Sequence, residues 1–97
     1  MVTEQIIRDK LSTDQHWLER AVIAIHNLQT SDEQQAGTTR HDNGVGFNSA
    51  DADILSYCAR WLNRGNHLTG KWLNEARRRM PKYAKQLLAI AATRVAA

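Results

Sequence analysis

Wherever the apolar residues of this chain repeat, they repeat every three or four positions, and nowhere do they alternate. That spacing places side chains on one side of a helix and cannot build the face of a sheet. Trp17, Leu18, Ala21, Val22, Ile25 and Leu28 fall within an arc of roughly 140° at about 100° per residue. They predict a helix over 12–30, with Ser12 and Gln15 at capping-box spacing and Asp14 in its first turn. Glu19, like His16, Arg20 and Asn27, lies largely outside that stripe. Ile6, Ile7 and Leu11 predict a short leading helix within 3–11. Ile54, Leu55, Cys58, Trp61 and Leu62 form the stripe of a helix that starts after Phe47, capped by Asn48 or Ser49. Asp51 and Asp53 sit where its dipole favours negative charge, and Gly65 ends it.

Thr69 opens the next helical stretch, in which Leu73, Ala76, Met80, Tyr83, Ala84, Leu87 and Ala91 keep the same phase. Pro81 interrupts it, either as a kink or as the first residue of a new helix. Two helices, 70–79 and 81–95, are the favoured reading. Residues 31–47 hold three glycines and many turn formers and predict a loop. The expected architecture is all-α: one domain over 1–97, of four to five helices with one long Gly-containing loop. Residues 1–13 are expected to form a loosely attached leading helix. Trp17, Val22, Ile25, Phe47, Leu55, Cys58, Trp61, Leu73, Met80 and Leu87 make up the expected core.

Charge is divided unevenly along the chain. Met1 to Asp53 carries nine acidic and four basic side chains, a net of −5; Ile54 to Ala97 carries nine basic and one acidic, a net of +8. A basic half favours an acidic partner. On a helical projection Lys71, Arg78, Lys82 and Lys85 fall within roughly 60° of one another, opposite the Leu73/Met80/Leu87 stripe. Arg77 and Arg79 flank them, Trp72 borders the seam between core and solvent, and Arg60 and Arg64 extend the positive charge from the preceding helix. Cations so spaced track phosphates, and an exposed Trp stacks on an unpaired base. The competing readings are an acidic protein surface and a solubilising helix face, with Glu75 the one local counter-charge.

Other constellations point to blander roles. Gly44 and Gly46 before a helix start resemble an anion nest, but the Lys-Ser/Thr of a phosphate loop and its strand are missing, which favours a structural turn. In that reading the glycines bend the chain and Phe47 plugs it into the core. His16, His26, His41 and His67 include no i, i+4 pair; a metal site from His41, Asp42, Asp51 and Asp53 competes with simple helix capping by the aspartates. Cys58 reads as a small buried residue, and Ser49 and Ser56 have no partner pattern for nucleophilic catalysis. The expectation is therefore a protein that is not an enzyme, with no cofactor and no metal. One cysteine allows no internal disulfide, no apolar run reaches a membrane span, and the N-terminus lacks a signal peptide, so the expected location is the cytoplasm of a bacterial cell. Ile23 and three Trp leave room for a homodimer.

The residues also carry a resemblance. Trp17-Leu18-Glu19-Arg20-Ala21, Gln29-Thr30-Ser31-Asp32-Glu33, Thr39, and Asn43-Gly44-Val45-Gly46-Phe47-Asn48 with Asp51 make up its first half. Leu68-Thr69-Gly70-Lys71, Ala76-Arg77, and Lys82-Tyr83-Ala84 with Gln86-Leu87 make up the second. Together they resemble a small all-helical module of phage and plasmid proteins, also found near helicase-type enzymes, over roughly residues 14–93. Where comparable sequences often have Gln after the Lys, this chain has Trp72. The resemblance implies mobile genetic elements and DNA transactions, and no catalytic residues. Two functions follow as expectations. The first is a non-enzymatic accessory module that contacts nucleic acid through the basic C-terminal helical face. The alternative is a protein-interaction module: a mobile-element inhibitor of a host-defence (CRISPR or restriction) complex, meeting an acidic surface of that nucleoprotein, or an adaptor for a helicase or replication partner.

Overall fold

The computed structural model describes residues 3–36 and 46–96, without the side chains of 29–36 and 92–96. Among the described residues five helices follow one another: α1 (Glu4–Thr13), α2 (Gln15–Ala36), α3 (Ala52–Asn63), α4 (Gly70–Arg79) and α5 (Ala84–Ala96). A 3-10 turn, Met80–Tyr83, joins the last two. The protein is an all-α single domain, and no strand occurs among the described residues.

Helix α1 is anchored rather than loosely attached. Thr3 accepts a hydrogen bond from the Ile6 N–H, and Ile7 and Leu11 are fully buried where α1 meets α2 and α5. The expected capping box at Ser12 does not form. The Ser12 and Thr13 hydroxyls turn back onto the carbonyl of Asp9, at 3.0 and 2.7 Å, and close α1. Asp14, extended at φ −123°, is the break, and its carboxylate accepts the Trp17 N–H at 3.2 Å to start α2. At that position a carboxylate satisfies a free N–H of the helix start and also places negative charge at the favourable end of the helix dipole. At its other end α2 runs on to Ala36, so 31–36 of the expected loop is helix; 37–45, with His41, Asp42 and Gly44, lies outside the described residues.

Within α2 the buried residues are Leu18, Ala21, Val22 and Ile25, with Trp17 and Leu28 partly buried at the rim of the stripe. Glu19, which lies largely outside the apolar stripe on the helical projection, is nevertheless buried. Phe47, Leu55, Cys58, Ala59, Met80, Tyr83 and Leu87 complete the same core. Leu73 is only partly buried, as is Ile23, which packs against the core. Trp61 is excluded from the core and 37% exposed. On the α3 projection it lies about 60° from Cys58, at the edge of the stripe, and the ring falls on the solvent side.

Pro81 stands in the first turn of the 3-10 segment, so α4 and α5 are separate helices, as the two-helix reading expects. Gly65 takes φ +91° after α3, a conformation that L side chains rarely adopt, and turns the chain back so that α3 and α4 make a helical hairpin. The connection is tied on both sides. The Trp61 indole N–H donates to the His67 carbonyl at 3.0 Å, while the Leu68 N–H and His67 Nδ1 meet the Glu19 carboxylate at 2.9 and 3.0 Å.

Candidate functional site

The nine cationic and aromatic residues expected to bind a partner separate into two groups. Arg78 and Arg79 both converge on Glu75, at 2.6 and 2.8 Å. Arg79 then reaches Asp51 Oδ1 at 2.7 Å, and Lys82 reaches Asp51 Oδ2 at 2.8 Å. Glu75 is therefore not the only counter-charge. Asp51, read as a helix-start aspartate, makes no side-chain cap on α3; Asn48 Oδ1 accepts the Asp51 N–H instead, at 2.9 Å. The fully buried Asp51 carboxylate points away from its own helix, towards α4 and the 3-10 turn.

Tyr83 completes this cluster. Its hydroxyl donates to Asp51 Oδ2 at 2.6 Å and accepts the Asn48 N–H at 3.0 Å, and its ring meets Phe47 edge-on with centroids 5.6 Å apart. One helical turn on, Gln86 grips the Gly46 backbone: its Oε1 accepts the Gly46 N–H at 2.9 Å and its Nε2 donates to the Gly46 carbonyl at 3.1 Å. With its N–H taken, Gly46 does not serve an anion nest, and the structural-turn reading of its backbone accounts for it. Burial alone would raise the Asp51 pKa, but the bonds from Lys82, Tyr83 and Arg79 outweigh it and hold the carboxyl below the ordinary aspartate range. Burial, reinforced by the hydrogen bond to Asp51, pushes the Tyr83 phenol well above its ordinary value. Hydrogen bonds from Arg79 and Arg78 likewise keep Glu75 low. With no solvent-accessible oxygen, Asp51 is a structural counter-charge for Arg79 and for Lys82, whose side chain stays 47% exposed.

The second group is what remains. Arg60, Arg64, Lys71 and Lys85 are exposed, and none is in an ion pair among the described residues. Arg77 is partly buried, and its Nε has no hydrogen-bond partner among the described residues. Trp72 is partly buried and stacks on Tyr57, a residue that the periodicity passed over, with centroids 4.8 Å apart and planes at 37°. Lys71 Nζ lies over the Trp72 ring, 5.3 Å from its centroid. This stack joins the outer face of α3 to the start of α4. On the α3 projection Tyr57, Arg60, Trp61 and Arg64 share an arc of roughly 100°, opposite Leu55, Cys58, Ala59 and Leu62. The interleaved pattern 57/61 and 60/64 was the available signal, hidden because Trp61 also continues the core spacing.

Elsewhere, burial raises the Cys58 thiol pKa, in keeping with a small buried residue. No group of three or more His, Cys, Asp or Glu side chains among the described residues is placed to hold a metal ion. Asp53 is exposed on α3 and apart from the Asp51 cluster. A groove of about 390 Å³ between α2 and α5, lined by His16, Trp17, Arg20, Ala24, Leu87 and Ile90 among others, is mainly apolar. No helix among the described residues is long and apolar enough to cross a membrane. The chain matches no protein-family model, no curated protein and no solved structure.

Proposed function

We propose that this protein is a non-enzymatic accessory module of phage and plasmid DNA transactions that contacts nucleic acid through the outer face of α3 and the start of α4. The observation that carries the reading is that Arg60, Arg64 and Lys71 are exposed and in no ion pair among the described residues, while the neighbouring Arg78, Arg79 and Lys82 share Glu75 and Asp51. Charges left uncompensated beside one another attract a polyanion and release its counterions. Lys85 adds a further exposed cation from α5.

The test is fluorescence anisotropy with labelled single- and double-stranded DNA at low salt. Binding is expected to weaken with salt. Neutralising Arg60, Arg64 and Lys71 together to Gln is expected to reduce the slope of log K against log salt by roughly two to three. Absence of binding to either DNA at low salt overturns the reading.

A protein-interaction module, as a host-defence inhibitor or a helicase adaptor, is the second reading. It is favoured by exposed Tyr57 and Trp61 beside two arginines, the residue types that anchor protein interfaces. A stoichiometric protein complex from the native host, together with no affinity for free DNA, would favour it over the first.

A further inference from the structure

Among the described residues three large hydrophobic side chains are exposed: Ile6 on α1, and Tyr57 and Trp61 together on α3. The last two are also the ones held in place. Tyr57 rests on Trp72, and the Trp61 indole is fixed by its bond to the His67 carbonyl. That carbonyl belongs to a connection pinned in turn by Glu19. Two aromatic faces are thus oriented before any partner arrives, which removes much of the ordering cost of using them.

We propose that Tyr57 and Trp61 form a stacking platform for unpaired bases, so that the protein takes single-stranded nucleic acid in preference to duplex. The inference rests on the nucleic-acid reading and adds its substrate class. The chemistry matches a single strand because such a chain offers phosphates and base faces side by side, and this face offers cations and ring faces side by side. Arg60 and Arg64 sit one turn apart between and beyond the two rings, with Lys71 across the hairpin over Trp72. In a duplex the base faces are already stacked on one another, so the rings have nothing to engage and only the cations act. Asp53, exposed one turn before Tyr57, repels phosphate at that end. The strand therefore runs from Tyr57 over Arg60 and Trp61 towards Arg64, with Trp72 as the support beneath Tyr57.

The experiment compares labelled oligothymidylate with a mixed-sequence duplex of equal length, by anisotropy, on the full chain and on Tyr57→Ala, Trp61→Ala and Trp61→Phe. Each alanine variant is expected to lose about tenfold in single-strand affinity with duplex affinity unchanged. Trp61→Phe, which keeps a ring without the indole N–H, is expected to retain most of the affinity. Quenching of tryptophan emission by oligothymidylate in the unmodified protein gives a readout that needs no variant. Equal affinity for both DNAs, with the alanine variants unchanged and no quenching, overturns the stacking platform and leaves the cationic contact standing. No binding to either DNA overturns both.

Discussion

Asp51 and Tyr83, 32 residues apart, share a 2.6 Å hydrogen bond inside the core, with the phenol donating to a carboxylate that water does not reach. Around that bond residues 46–51 are clasped to the second half of the chain. Asn48 donates to the Tyr83 oxygen, Gln86 holds Gly46, and Arg79 and Lys82 neutralise the acid. Several residues that carry the resemblance to mobile-element modules are the ones that meet here: Gly46, Phe47, Asn48 and Asp51 against Lys82, Tyr83 and Gln86. Their pairing accounts for them as structure and moves the candidate interface to α3 and α4.

Removing the carboxylate should be costly. Asp51→Ala takes away the shared partner of two salt bridges and of a buried phenol, and is expected to destabilise the fold by about 3 kcal/mol. Tyr83→Phe, which leaves Lys82 and Arg79 in place, is expected to cost about 1 kcal/mol. Urea unfolding followed by far-UV circular dichroism checks both; equal and negligible effects would remove the clasp from the stability of the fold.

Acid should unfold the protein through Asp51 and Glu19. Both carboxyls are held below their ordinary values despite burial, Asp51 by Lys82, Tyr83 and Arg79, and Glu19 by Gln15, His67 and Leu68. A depressed folded-state pKa contributes stability above the unfolded value, which is lost as pH falls through the folded one. Stability is therefore expected to be full above about pH 5 and to fall steeply below about pH 4. The urea midpoint measured against pH tests this, and Asp51→Asn should flatten the acid limb.

Glu19 links α2 to the connection that orients Trp61. Glu19→Gln loses the charge that receives three hydrogen bonds and is expected to cost about 1–2 kcal/mol. Hydrogen exchange should show protection lost at the Leu68 amide. A change in tryptophan emission should accompany it, because the His67 carbonyl that fixes Trp61 lies in the same connection.

Gln86→Ala leaves the N–H and carbonyl of Gly46 without their side-chain partner, at an expected cost of about 2 kcal/mol. Phe47→Ala, which empties a fully buried ring site beside Tyr83, is expected to cost about 3–5 kcal/mol. Thermal melts of the two variants rank them, and a larger loss for Gln86→Ala would reverse the relative importance assigned to clasp and core.

Cys58 is buried within the α3 stripe, and its burial pushes the thiol pKa up. Alkylation of the native protein at neutral pH is expected to be negligible and to become complete in denaturant. Rapid reaction of the folded protein would show that the α3 face opens locally.

What the sequence determines here is local. The 3.6-residue period of apolar side chains specifies an all-α chain of four to five helices, because that period is a property of neighbouring residues. Pro81 and Gly65 end helices for equally local reasons of backbone geometry. The count of charges also stands, with a basic C-terminal half. Only the tertiary structure decides which charges remain available. Asp51 reaches Arg79 across 28 residues, and Glu19 reaches the Leu68 N–H across 49, distances over which a helical projection carries no information. The projection accordingly left Glu19 outside the apolar stripe and Trp61 in the core. Packing reversed both, because a buried carboxylate needs donors that distant segments of the chain supply, and an aromatic at the edge of a stripe goes wherever the neighbouring helix leaves room.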